Sequence, residues 1–170
     1  MTATYDCIAT TTLGSAAASV TFSSISGSYT DLVVVCAVAA SSGGVAKLTF
    51  NNDTAGNYST TLLEGDGSTA YSYRFSNQHY IHIAGGNSLN YGANQSPTLM
   101  NISIQNYSNA TTNKTALCRS NVQASSTLFS TYAYVGLWRS TAAIDRVDIT
   151  PSAGNWNSGS TFTLYGIKAE

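Results

Sequence analysis

Charge is what this sequence most conspicuously lacks. Lys, Arg, Asp and Glu make up 9% of its 170 residues, against about 25% in an average soluble protein. The seven basic residues are scattered singly and the net charge is -1. No basic stripe is available to follow a phosphate backbone, so nucleic acid is not an expected partner. No apolar run reaches the roughly 18 residues of a membrane-spanning helix, and no membrane partner is expected. Met1 to Thr12 offers no basic stretch followed by an apolar one, so the sequence as it stands carries no secretion signal. Cysteine is scarce and odd in number: Cys7, Cys36 and Cys118 each lie in a strand-like run. That pattern predicts reduced, buried thiols and synthesis in a reducing cytoplasm rather than a disulfide framework. The seven Asn-X-Ser/Thr triplets, at Asn52, Asn57, Asn94, Asn101, Asn106, Asn109 and Asn113, then follow from composition alone and are not glycosylation sites.

Catalytic chemistry is poorly provided for. The two histidines, His79 and His82, are spaced so that a strand would send them to opposite faces, which disfavours a shared metal or proton relay. The cysteines form no Cys-X-X-Cys pair, and no Gly-X-Ser-X-Gly elbow occurs. Glu64 with Asp66, and Asp145 with Asp148, are the carboxylate pairs closest in sequence, and neither has the setting of a glycosidase pair. The stretch NNDTAGNYSTTLLEGDG partly follows a calcium loop through Asn51, Asp53 and Gly56, but Ala55 stands where a ligand oxygen belongs. A hairpin with Asx turns accounts for the same residues. No catalytic residue, metal or cofactor is therefore expected, and the protein reads as a non-enzyme.

What the chain has in quantity is alternation. Met100, Ile102 and Ile104 alternate with Asn101, Ser103 and Gln105; Leu48 and Phe50 alternate with Lys47 and Thr49; Val147 and Ile149 alternate with Arg146 and Asp148. A period of two marks strands with one covered face. Strands are predicted near Tyr5 to Thr11, Ala18 to Ser24, Asp31 to Ala39, Ala46 to Phe50, Tyr58 to Glu64 and Tyr71 to Ser76. Six more are predicted near Tyr80 to Ile83, Thr98 to Asn106, Lys114 to Asn121, Phe129 to Trp138, Ile144 to Thr150 and Thr161 to Lys168. Clusters of Gly, Ser, Asn and Asp separate them, as at Ser41 to Gly44, Gly85 to Asn90 and Ser152 to Ser160. So many short strands do not fit one sheet. The expected fold is a single all-β domain over residues 1-170, a two-sheet antiparallel β-sandwich of jelly-roll-like type.

The apolar strand Phe162 to Ile167 lies almost at the C-terminus, where chains fray unless paired. It is expected to be an interior strand completing a sheet, with Thr161 and Thr163 turned outward and Gly166 marking a bulge or the close approach of a ring or backbone. Leu32 to Val38, LVVVCAV, is apolar on both faces, so a loop or a neighbouring subunit must cover the second one.

Tyrosine is in surplus, with 11 Tyr against 5 Phe. Tyr71 and Tyr73 share one strand face, and Tyr132 and Tyr134 another, continued by Trp138. Each stripe suits three roles: stacking on sugar rings, anchoring a subunit interface, or lining the core with hydroxyls at its rim. Trp156, in a turn-rich loop, is a further candidate contact, or a cap on the end of the sandwich. Free sheet edges are normally guarded by Lys, Pro or inward charge, and this chain has three Lys and two Pro. A surface of Thr, Ser, Asn and Tyr is cheap to dehydrate, which favours a protein made to be assembled.

The ordered pieces ISGSYTDLVV, LTFNNDTAGNYS, ISIQNYSNATTNKT, VGLWRSTAAIDRVDI and GSTFTLYGIKA resemble small β-rich virion proteins of tailed bacteriophages, particularly those infecting marine and freshwater bacteria. The resemblance implies a structural role on the particle without enzymatic activity, for a protein made in the host bacterial cytoplasm. A stand-alone module without heptads suits a capsid decoration or cement protein. Its expected partners are itself, as a homotrimer, and the major capsid protein or other virion proteins. The alternative is a tail-fibre or receptor module that binds a glycan through one tyrosine stripe.

Overall fold

The computed structural model of the protein describes residues 4–85, 97–123 and 129–168. The turn expected at Gly85 to Asn90, past Gly85, and the triplet at Asn94 lie outside them. The described residues form β1 (Tyr5–Thr12), β2 (Val20–Phe22), β3 (Asp31–Val38), β4 (Ala46–Phe50), β5 (Tyr58–Gly65) and β6 (Ala70–Gln78). They continue with β7 (Ile81–Ala84), β8 (Thr98–Gln105), β9 (Lys114–Gln123), β10 (Phe129–Trp138), β11 (Val147–Pro151) and β12 (Thr161–Ile167). Most strands form where the apolar spacing has period two, whereas β3 is apolar on both faces and β7 is buried throughout. In β10, for example, Ser130, Tyr132, Tyr134, Gly136 and Trp138 are buried while Phe129, Thr131, Ala133 and Val135 are exposed.

All pairings are antiparallel and make two sheets: eight strands in the order β1-β12-β3-β8-β9-β10-β5-β6, and four in the order β2-β11-β4-β7. The protein is a β-sandwich. Its early strands pair in reverse order with later ones, β1 with β12, β2 with β11, β3 with β8 and β4 with β7. The path is that of one long ribbon folded over. Two hairpins, β5-β6 and β9-β10, are inserted into this ribbon, and both extend the large sheet.

β12 is interior, bonded to β1 on one side and β3 on the other. Phe162 and Leu164 face inward and Thr161 and Thr163 outward. β11 starts later than the expected Ile144 because the preceding backbone is used elsewhere. The Ile144 amide donates to the Tyr107 carbonyl, and those of Asp145 and Arg146 donate to Asn51 Oδ1. The run expected from Ala18 to Ser24 shortens to Val20–Phe22.

The core lies between the sheets. Leu32, Val34, Ile102, Ile104, Phe162 and Leu164 from the large sheet meet Leu48, Phe50, Ile81, Ile83, Val147 and Ile149 from the small one, all with no exposed surface. Each such side chain contributes about 1.5–3 kcal/mol through removal from water. Cys36 and Cys118 are buried thiols in this layer, whereas Cys7 is exposed on β1, contrary to the expectation of three buried cysteines. Burial pushes the Cys36 pKa up to about 12.

Two strand glycines mark close approaches. A Cβ on Gly166 would lie 2.4 Å from the Tyr29 ring, and one on Gly136 would lie 2.3 Å from Ile81 Cγ2. Ile81 therefore packs on the bare backbone of β10 from the opposite sheet. Gly136→Ala should lower unfolding free energy by about 1–3 kcal/mol through overpacking. Gly14→Ala, where nothing lies within 4 Å, should be near neutral. Chemical denaturation of both variants checks this, and equal midpoints would refute the close approach.

Candidate functional site

The outer face of the large sheet is built by the same alternation that fills the core. One cross-strand row runs Ser72, Leu63, Ala133, Arg119, Asn101, Val35, Thr163 and Thr10, one residue from each strand. The next runs Arg74, Thr61, Val135, Leu117, Ser103, Val33, Tyr165 and Cys7. Leu99 and Phe129 stand on the same face, beyond the first row. Val35, Leu63, Leu99, Leu117, Phe129 and Val135 remain between 41% and 59% exposed. An isolated exposed Leu is unremarkable, but six on one sheet face make a patch. Val35 belongs to the doubly apolar strand β3. The second face of that strand is therefore left open at Val35, with Val33 buried by its neighbours.

In these two rows the charged side chains are Arg74 and Arg119. Among the described residues Arg119 has no ion-pair partner, since the ion pairs join Arg146 to Asp148 and Lys168 to Asp6. Arg119 lies between two open depressions. One, of about 480 Å³, is bounded by Val35, Leu99, Asn101, Asn121, Thr131 and Thr163. The other, of about 250 Å³, is bounded by Ser103, Leu117, Ala133 and Val135. Aliphatic walls, amides, hydroxyls and one free guanidinium can exclude water and accept a carboxylate. Alternation placed Arg119 outward, but nothing local in the sequence put it at the centre of the widest sheet.

The tyrosine stripes divide. Tyr132 and Tyr134 are buried, as are Trp138 and Trp156. The contact roles considered for Tyr132, Tyr134 and Trp156 are thus corrected to core roles. The reason is cover: β7 of the small sheet lies across β5, β8, β9 and β10. The Tyr134 hydroxyl donates to the Gly85 carbonyl at 3.0 Å, and that of Tyr132 to Glu64 Oε1 at 2.8 Å. Trp156 closes one end of the sandwich, its Nε1 donating to the Ile149 carbonyl at 3.1 Å and its ring edge-on to Phe162. Tyr71 and Tyr73 lie on the edge strand β6, their rings nearly parallel with centroids 6.1 Å apart. Tyr71 is 38% exposed, and Tyr73 is half-buried against the core margin.

The remaining titratable groups are held by local structure. His79 lies in the turn after β6, where its Nδ1 donates to the Thr54 carbonyl at 2.6 Å. His82 is in β7, stacked on Phe75 with centroids 4.3 Å apart. The loop read against the calcium pattern is tied by Asp53, which accepts from the Ala55 amide, Asn57 Nδ2 and Trp138 Nε1. Burial opposes its charge, but those three donors outweigh it and hold the pKa below the usual carboxylate value. Asp66 Oδ1 caps the amides of Ser68 and Thr69, and Asp148 is bound by both Arg146 and Thr21. Among the described residues no cluster of His, Cys, Asp or Glu could hold a metal ion.

No protein-family model matches this chain, and no curated protein matches it in sequence.

Burial, with the nearby Lys47 charge as a lesser cause, lowers the His82 pKa to about 4 from an ordinary 6.5. Between those values the unfolded chain binds a proton that the folded protein refuses, so stability falls as pH drops through this window. The loss amounts to about 3 kcal/mol if the whole shift is expressed. Urea unfolding from pH 7 to pH 4 should show this slope in the native protein and a flatter one in His82→Phe. Coincident slopes would assign the acid sensitivity elsewhere.

Proposed function

We propose that this protein is a non-enzymatic structural component of a tailed-bacteriophage virion, a capsid decoration protein that self-associates and docks on the shell through the outer face of its large sheet. The observation that carries the reading is the composition of that face: six exposed apolar side chains set among Ser, Thr and Asn, with two arginines in its central rows. Such a surface loses little on dehydration and gains from burial. Its size also fits. Eight strands at about 4.8 Å spacing and about 20 Å of strand length give roughly 770 Å², close to the roughly 800 Å² per partner of a standard interface.

The strand order supports the same reading. Without the two inserted hairpins, β1-β12-β3-β8 would face β2-β11-β4-β7, which is the order of a jelly roll, an architecture common in viral capsids. The insertions widen only the sheet that carries the open face. A trimer on the particle and synthesis in the host bacterial cytoplasm complete the proposal.

Sedimentation of the purified protein should show an oligomer, and the protein should pellet with emptied shells of its phage. The double variant Leu117→Lys, Val135→Lys should lose both behaviours while keeping its melting temperature, since both side chains are about half exposed. A monomer at every concentration, with no affinity for shells, would sink the proposal.

A further inference from the structure

We propose that Tyr71, Tyr73 and Glu64 form a binding site for a neutral glycan, on the inner side of the large sheet where the small sheet stops. Phe75 on β6 still reaches His82 of β7, but Tyr71 and Tyr73 extend beyond that contact toward the β5-β6 turn. Their near-parallel rings are stacked at this edge, with Tyr73 set against the core margin and Tyr71, the outer of the two, 38% exposed. The C–H face of a pyranose packs on such rings, and its hydroxyls require fixed acceptors nearby.

Glu64 supplies the acceptor. It lies directly across from Tyr71 on β5, with Tyr132 on its other side. The Tyr132 hydroxyl holds Oε1 at 2.8 Å, while Oε2 takes no hydrogen bond from any described residue. A carboxylate anchored by one oxygen and open at the other can accept sugar hydroxyls without reorganising. Its charge disfavours uronic and sialic acids, which fixes the class as neutral. Tyr132 is a positioning residue here: buried itself, it aims Glu64. The site lies on the opposite side of β5 and β6 from Leu63 and Arg74, so it is distinct from the docking face and can be filled while that face is covered.

The test is an NMR titration of the intact protein with neutral hexasaccharides: β-1,4-glucan, β-1,3-glucan, α-mannan, galactan and chitin oligomers. At least one should shift β5 and β6 amides saturably at or below about 1 mM. Tyr71→Ala should weaken binding about tenfold at an unchanged melting temperature, while Tyr71→Phe, which keeps the ring, should retain it. Glu64→Gln preserves an acceptor for Tyr132 but presents an amide donor in place of Oε2, and should also weaken binding. Absence of β5-β6 shifts across the panel, or binding that survives Tyr71→Ala, would overturn the site. Neither result bears on shell docking, which is read separately from the Leu117→Lys, Val135→Lys variant.

Discussion

The pairing of β12 with both β1 and β3 is the constraint on which the rest of the structure depends. It joins β1 to β12 at one margin of the large sheet and closes the folded ribbon on itself. Without it, β3 would become an edge and the inward residues Leu32, Val34 and Cys36 would lose Phe162 and Leu164 as neighbours. The outer face depends on the same pairing, because Val35 and Thr163 are cross-strand partners. Gly166 belongs to this constraint too, since Tyr29 can pack over β12 only where no Cβ intervenes. Such non-local closure must offset a large loop entropy before it gains any contact. The register is therefore fixed by side chains remote in sequence.

Strand positions were legible because alternation is a local property. Ala46–Phe50 and Phe129–Trp138 fall where the apolar spacing puts them, and the remaining strands differ at their ends. Ends are decided by bonds that local spacing does not contain. Ile144 has strand-like neighbours, yet its amide goes to the Tyr107 carbonyl and those of the next two residues to Asn51 Oδ1. Strand order was equally out of reach. Nothing in the spacing of Thr161 to Ile167 names β1 and β3 as its partners rather than β11.

The tyrosine stripes show the same limit at the level of the site. Period two says that Tyr71 and Tyr73 share a face, and that Tyr132 and Tyr134 share one. It does not say that all four point to the same side of the same sheet, with Glu64 between the rows. Nor does it say which are covered. Cover is decided by the width of the small sheet: β7 crosses β10 and β5 and stops short of most of β6. Trp156 followed a different logic. A turn-rich loop left it as either a contact residue or an end cap, and two backbone bonds to Ala17 draw the loop across the sandwich end and carry the indole inside as the cap.

The inserted hairpins give the low charge of the chain a geometric meaning. A four-over-four sandwich would bury most of what it has; adding β5-β6 and β9-β10 to one sheet creates a wide outer surface and an uncovered inner margin together. Charged residues on that outer surface would resist burial, because each must find a partner or lose its hydration. The chain uses Ser, Thr and Asn instead and leaves Arg119 as the guanidinium between the depressions. A planar cation in such a setting selects against partners that cannot offer it a carboxylate or carbonyl, since burying it unpaired costs more than the surrounding aliphatic contacts return. In the proposed docking, the aliphatic neighbours supply adhesion and Arg119, between the depressions, supplies register.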